Sequence, residues 1–352
     1  MTICYFGIYK PTYTRNAINI RGLRRNGVEV LECNSRQESN RKYWQLIKQY
    51  WSIRKKFKVM VVGFPGHTIM PLAWVLAKLT GKKIIFDAFV SMYDSMVFDR
   101  QQFSAKSLKA KKYWLIDWLS CQLADIILLD ANAHAQYFID TFRINPKKFK
   151  RLLVGVDDEE VKPVSQKKVT EDFLVHFHGT YIPAQGIAYI IEAAKILKDE
   201  PISFNLVGRL TDYHREIEFS KQNGLKVNFF DFMPYKDLIE KISEADICLG
   251  MFGDTDKAKR AGAFKVVESM AMEKAFVTGD TPAMREFLVD GRDCLFCKIA
   301  DAKDLAEKIL VLKNNEELRQ RLAKQGYQRY LELLTPKVLG KELKEMVEKL
   351  VA

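Results

Sequence analysis

Short runs of apolar, β-branched residues recur along the chain, separated by longer segments whose apolar positions follow the helical period. In the first half the strand candidates are 2–8, 28–33, 58–64, 82–89, 125–130 and 150–155. In the second half they are 173–179, 203–208, 226–232, 246–252, 274–279 and the short CLFC run at 294–297. Helical patterns begin near Arg15, Tyr43, Met70, Ala131, Gln185, Leu238 and Phe264. Such alternation predicts parallel sheets joined by crossover helices. So many strands are too many for one doubly wound sheet, so the expectation is an α/β chain of two Rossmann-like domains. The polar stretch 156–171, which contains Pro163, reads as a linker. The expected division is 1–160, 161–335 and a last helix over 336–352, opened by Thr335-Pro336.

Charge sharpens this division. Residues 1–160 carry 26 Lys/Arg and 14 Asp/Glu, whereas residues 161–352 carry 30 of each. The whole net charge of +12 therefore belongs to the first half, which predicts an anionic partner for that half alone. In two basic, aromatic stretches, 41–58 and 106–118, aromatics at helical spacing are more often core, and the leading functional reading is a helix lying in the plane of an anionic membrane surface. No recognised nucleic-acid motif accompanies the excess, so nucleic acid is not the expected partner. No run approaches the ~18 apolar residues of a membrane helix, and the start reads as a strand rather than a leader. The expectation is a cytoplasmic protein, peripheral on the inner face of the membrane. Six cysteines, including Cys294 and Cys297, read as buried thiols, with a redox or zinc use of that pair as the alternative.

The densest chemistry lies at 253–280. A polar loop is followed by Arg260, the small residues Ala261, Gly262 and Ala263, and a helix opening at Phe264. A helix N-terminus presents free N–H groups and a positive dipole end, which suits a phosphate. Lys265 and Glu268 are three apart and share a face. A cation beside phosphate oxygens and a carboxylate within reach of a ribose would grip a nucleoside diphosphate; an ordinary solvated charge pair is the plain alternative.

This segment resembles the donor-site signature of glycosyltransferase family 4, the group 1 retaining enzymes of the GT-B fold. Glu268-Ser-Met-Ala-Met-Glu-Lys-Ala-Phe-Val277 is similar to the second Glu of that family's Glu-x7-Glu motif and the residues after it. The position of the first Glu holds Arg260, as in a subgroup with basic residues, here Arg260 and Lys265, ahead of a single Glu. His178-Gly-Thr-Tyr-Ile-Pro-Ala-Gln-Gly186 resembles the family's phosphate loop, with Thr180 and Gln185 in place of its basic groups. Leu206-Val-Gly-Arg209 and Phe230-Asp-Phe-Met-Pro-Tyr-Lys-Asp-Leu238 resemble two further segments, the latter flanking the nucleobase. The resemblance implies two Rossmann-like domains facing across a cleft, with the last helix returning to the first domain. It implies transfer of a sugar from a nucleoside diphosphate sugar to an acceptor hydroxyl with retention, without a metal or other cofactor. Donor-binding candidates are Gly179, Thr180, Gln185, Gly186, Arg209, Phe232, Met233, Arg260, Ala263, Phe264, Lys265 and Glu268. The expected catalytic groups are Lys265, Arg260 and Asp87, the last at the end of the run 84–87.

The first half is read as the acceptor side, for a glycan or lipid-linked acceptor. Arg15 and Asn16 follow the first strand, His67 the third, and Asp94 a loop after the fourth. Alternatives are a GT-B protein that isomerises or hydrolyses a nucleotide sugar, a non-catalytic GT-B protein, and, less favoured, a basic nucleic-acid-binding protein.

Overall fold

The computed structural model describes residues 1–35, 39–164 and 171–352. The chain divides into two compact units, residues 1–157 with 334–352, and residues 158–333. Each is built on a parallel sheet of six strands among the described residues.

The first unit runs β1 (Thr2–Gly7), α1 (Thr14–Arg25), β2 (Glu29–Asn34), α2 (Arg41–Ile53), β3 (Val59–Val62), α3 (Met70–Thr80), β4 (Lys83–Phe89), α4 (Leu108–Leu123), β5 (Ile126–Leu129), α5 (Asn132–Phe142) and β6 (Phe149–Arg151). Its strand order is β2-β1-β3-β4-β5-β6. Val59-Met-Val-Val62 is buried at every position, as a strand covered by helices on both faces must be. One core cluster joins β1, β3, β4 and β5 to Leu46 and Tyr50 of α2, Ala73 and Leu76 of α3, Cys121 of α4, and Phe138 and Phe142 of α5. These four helices therefore form one layer over one face of the sheet.

The second unit runs β7 (Phe173–His178), α6 (Ile187–Ile196), β8 (Ile202–Val207), α7 (His214–Gln222), β9 (Val227–Phe230), α8 (Tyr235–Glu244), β10 (Ile247–Leu249), α9 (Asp256–Arg260), α10 (Phe264–Ala271), β11 (Ala275–Gly279), α11 (Pro282–Arg285), β12 (Leu295–Cys297), α12 (Ala302–Asn314) and α13 (Glu316–Leu333). The strand order is β12-β11-β10-β7-β8-β9. All six cysteines are free and buried, and the CLFC run is the edge strand β12.

The last helix, α14 (Pro336–Val351), belongs to the first unit and packs along α1. Thr335 caps it by accepting the Val338 N–H at 3.3 Å, and Pro336 occupies the first turn. The approach is close because Gly22 faces Gly340; a Cβ at Gly22 would lie 2.9 Å from the Gly340 Cα. Among the described residues, no helix is long and apolar enough to cross a membrane.

Candidate nucleotide-sugar site

In an open parallel sheet, ligands bind beyond the carboxyl ends of the strands where the strand order reverses. In the second unit that point lies between β7 and β10, because the chain builds β8 and β9 on one side of β7 and β10 to β12 on the other. The loops leaving these two strands are knitted together. Phe252 N–H donates to the Gln185 carbonyl and Gly253 N–H to the Ala184 carbonyl, each at 3.2 Å. Gly186 holds φ +70° at the start of α6, and a Cβ there would lie 2.5 Å from the Gly253 nitrogen. A Cβ on Gly253 would collide with the Pro183 carbonyl oxygen. Gly253→Ala is therefore expected to destabilise the second unit by about 1–3 kcal/mol. A melting temperature equal to the wild type would show that the two loops are not locked.

The helix α10 opens at this junction. Its N-cap, Ala263, offers no side-chain hydrogen bond, and its carbonyl accepts from the Val266 and Val267 N–H groups at 3.1 and 3.4 Å; the positive dipole end of the helix faces the junction. Lys265 is buried; its Nζ donates to Gln185 Oε1 and sits 3.8 Å from the centroid of the Phe177 ring. A Cβ at Gly179 would lie 2.7 Å from that nitrogen, so a larger residue there would displace the amine. Burial holds the Lys265 amine well below the ordinary lysine range, with the nearby Glu268 charge working the other way.

Glu268, one turn on, is also buried, and both its oxygens are engaged. Oε2 accepts from His178 Nε2 at 2.7 Å and Oε1 from the Tyr235 hydroxyl at 2.8 Å. Burial pushes the Glu268 carboxyl up, yet the His178 ring, the two hydrogen bonds and Lys265 outweigh it and hold the group below the usual range. His178 Nδ1 lies 3.1 Å from Nε2 of the fully buried His176. Burial, and then His178 and Lys265, keep the His176 pKa well below normal, so that ring is neutral. Tyr213 completes the floor by donating to the Gly179 carbonyl at 2.7 Å.

Several expected donor-site residues thus meet. Gly179, Gln185, Lys265 and Glu268 are joined directly or through His178, and Gly186 buttresses them. Ala263 and Phe264 form the mouth of α10. Arg260 ends α9, three residues before that mouth, and is partly buried. Thr180 is exposed on the loop after β7. Arg209 stacks 5.9 Å from the Phe232 ring beyond β8 and β9, with Met233 half-buried beside it in sequence. His176 and Phe177 lie outside the sequence-based site, and His178 and Tyr235, though within the segments that carry the resemblance, are not among its candidates. Two histidines two apart on a strand share a face, and that spacing is the signal that marks them.

In the first unit the expected site residues are placed as follows. Asp87, expected to be catalytic, is fully buried in an ion pair with Arg15, which was expected on the acceptor side (Nε to Oδ2 3.0 Å). Asn16 is buried as well, accepting from the Tyr5 hydroxyl at 2.9 Å and donating to the Phe64 carbonyl. His67 is buried with its ring 5.0 Å from that of Phe86 and its Nε2 3.7 Å from Asp117 Oδ1. Burial lowers its pKa, with Asp117 opposing. Asp94 is buried at the start of the π-helical turn Asp94–Asp99. These side chains sit among core partners because a polar residue at a strand's end can just as well tie the next helix to the sheet.

Residues 158–329 match the family model of glycosyl transferases group 1. Over that span the second unit is similar to a glycosyltransferase group 1 domain. The match nearly coincides with that unit and includes Gly179, Lys265 and Glu268. An uncharacterized glycosyltransferase of Methanocaldococcus jannaschii is 29% identical over 150 residues, 43% of this chain and 41% of that protein. The N,N'-diacetylbacillosaminyl-diphospho-undecaprenol alpha-1,3-N-acetylgalactosaminyltransferase of Campylobacter jejuni is 29% identical over 192 residues, 54% of this chain and 48% of that one. The chain thus spans less than half the length of these two relatives. Among solved structures, HepE of Anabaena, crystallised with UDP, superposes with a TM-score of 0.76 at 13% identity, covering 99% of this chain and 100% of that one. Sucrose-phosphate synthase of Thermosynechococcus elongatus gives 0.77 at 12% identity, covering 99% of each. At such identities the likeness establishes the fold, two six-stranded parallel α/β units as in GT-B glycosyltransferases.

Proposed function

We propose that this protein is a retaining glycosyltransferase that moves a sugar from a nucleoside diphosphate sugar to an acceptor hydroxyl without a metal. The observation that carries the reading is the buried group formed by Lys265 and Glu268 at the start of α10, at the point where the second sheet reverses its strand order. Cleaving the anomeric C–O bond places negative charge on the departing diphosphate while the sugar carbon becomes cationic. Fixed donors aimed at that charge lower the barrier by roughly 3–4 kcal/mol for one good donor. Here Lys265 and Arg260, with the positive dipole end of α10, supply them, and Glu268 takes the ribose hydroxyls. The acceptor oxygen forms the new C–O bond on the face the diphosphate leaves, and its proton passes to the departing oxygen.

The named relatives and neighbours support this choice of partners. HepE has been crystallised with UDP and with UDP-glucose, so a UDP-sugar is the first donor to test. The Campylobacter relative is named for transfer to an undecaprenol-linked sugar, and a Staphylococcus aureus relative for capsular polysaccharide biosynthesis. We read the acceptor accordingly as a glycan or lipid-linked sugar, met by the basic first unit at the cytoplasmic face of a membrane.

The test is melting with UDP, GDP, ADP or CDP, for the wild type and Glu268→Gln. A nucleotide at ~100 times its dissociation constant adds about 2.7 kcal/mol. One diphosphate should shift the wild type clearly and the variant much less. No shift with any of the four would overturn the reading in favour of a non-catalytic protein.

A further inference from the structure

The chain has no Asp or Glu between Glu38 and Asp87, yet that stretch holds ten Lys and Arg. It contains all of α2 and α3. A second acid-free stretch, from Arg100 to Ile116, adds five more and covers the first half of α4. The three helices belong to the single layer over the first sheet, and the Tyr50 hydroxyl ties α2 to α3 by donating to the Leu76 carbonyl at 3.1 Å.

These helices turn an unusual set of side chains outward. On α2, Leu46 and Tyr50 enter the core, while Arg41, Trp44, Lys48 and Trp51, with Lys55 just past the helix end, are all exposed. Their spacing of three and four places them along one face, with cations and indoles alternating. Trp44 is 75% exposed, and the Arg54 guanidinium lies 4.7 Å from the Trp51 ring. On α3, Trp74, Val75 and Leu79 face out beside Lys78, with Leu79 70% exposed. On α4 the indoles of Trp114 and Trp118 stack together, and Trp114 Nε1 donates to the Thr141 carbonyl at 3.3 Å. Leu108, 83% exposed, and Leu115 face out instead, beside Lys111 and Lys112.

We propose that the outer face of α2, α3 and α4 docks in the plane of an anionic bilayer. Three features fit that partner. The face supplies cations with no carboxylate in either stretch to repel an anionic surface. Its indoles carry an apolar body and a polar N–H, which suits the headgroup boundary. Its exposed aliphatic side chains, Leu79, Leu108 and Leu115, suit the apolar boundary of the bilayer while the neighbouring lysines extend back to the phosphates. A nucleic-acid backbone would accept the cations but offers nothing to the aliphatic side chains. The proposal deepens, and rests on, the reading that the acceptor is met at a membrane. Vesicle binding and nucleotide binding are measured separately, so either can fail alone.

The test is sedimentation of the full chain with phosphatidylcholine vesicles, with and without phosphatidylglycerol. Wild-type protein should bind the phosphatidylglycerol vesicles and leave the neutral ones. Lys48→Ala with Lys55→Ala should weaken binding roughly tenfold or more. Trp44→Ser with Trp51→Ser should weaken it comparably, and brominated lipid should quench the fluorescence of the wild type more than that of this variant. Both variants should keep the wild-type melting temperature and its nucleotide shift. Equal binding to neutral vesicles, no binding, undiminished binding by the tryptophan variant, or binding to a DNA duplex in preference to vesicles would each overturn the proposal.

Discussion

Asp87→Ala is expected to destabilise the first unit by about 3–5 kcal/mol, the usual consequence of leaving a buried charge without its partner. The Arg15 guanidinium has no route to water. Its Nε and one terminal nitrogen donate to the two Asp87 oxygens, each pairing at 3.0 Å, and the other terminal nitrogen donates to the Leu152 and Leu153 carbonyls at 2.7 and 3.0 Å. Asn19 Nδ2 adds a third donor to Asp87 at 3.0 Å, and the Phe89 ring lies 5.1 Å from the guanidinium carbon. Burial lowers the Arg15 pKa, but the Asp87 charge and hydrogen bonds outweigh it and leave it raised, so the cation persists at any working pH. The pair thus fastens α1 to β4 and to the segment after β6. Removing the carboxylate strands a cation in the core; replacing both groups, as Arg15→Met with Asp87→Leu, should recover much of the loss. Urea unfolding followed through the first unit's tryptophans reads this directly. A loss below ~1 kcal/mol would show that water or a moved side chain compensates the arginine, and would return Asp87 to candidacy as an exposed group. Because the proposed donor site belongs to the second unit, any nucleotide shift should survive in whatever fraction remains folded.

That pair also shows where sequence reading fails. The strands were legible because burial on both faces writes itself into consecutive residues: β3 is Val59-Met-Val-Val62, and the short β12 still reads as Leu295-Phe-Cys297. The start of α10 was legible for the same reason, since Ala263, Lys265 and Glu268 lie within six residues and their geometry follows from one helix. Asp87 meets Arg15 across 72 residues, and nothing local distinguishes a carboxylate aimed at a substrate from one aimed at an arginine. His178 and Tyr235 reach Glu268 across 90 and 33 residues, so the residues that orient the carboxylate were hidden although the carboxylate itself was not. In α4 the pattern misleads in another way. Its large apolar residues divide between the core, at Trp114 and Trp118, and the outside, at Leu108 and Leu115, so no single stripe marks the buried face.

Lys265→Met is expected to abolish most of the nucleotide-induced stabilisation and to lower turnover by about 10²–10³-fold, the loss typical of one fixed donor to a developing anion. Methionine keeps an apolar stem against Phe177 while removing the charge, so the second unit should stay folded. The reason to expect so much of one lysine is its setting. Lys265 touches Gln185 and lies beside Gly179, and on the proposed reading it supplies the cation that Thr180 and Gln185 lack. Its amine is already held well below the ordinary range by burial, against the pull of Glu268. That setting fixes the signs. Between the lowered value and the ordinary lysine value of ~10.4, the unfolded chain binds a proton that the empty folded site does not, so stability without nucleotide rises with pH. An arriving diphosphate favours the charged amine and raises its pKa, so in the same window binding takes up a proton and weakens as pH rises. Calorimetry in two buffers of different ionisation heat counts that proton. Uptake in the wild type that disappears in Lys265→Met assigns the proton and the phosphate contact to this amine. Uptake unchanged in the variant would place both elsewhere, with Arg260 and the α10 dipole left to hold the diphosphate.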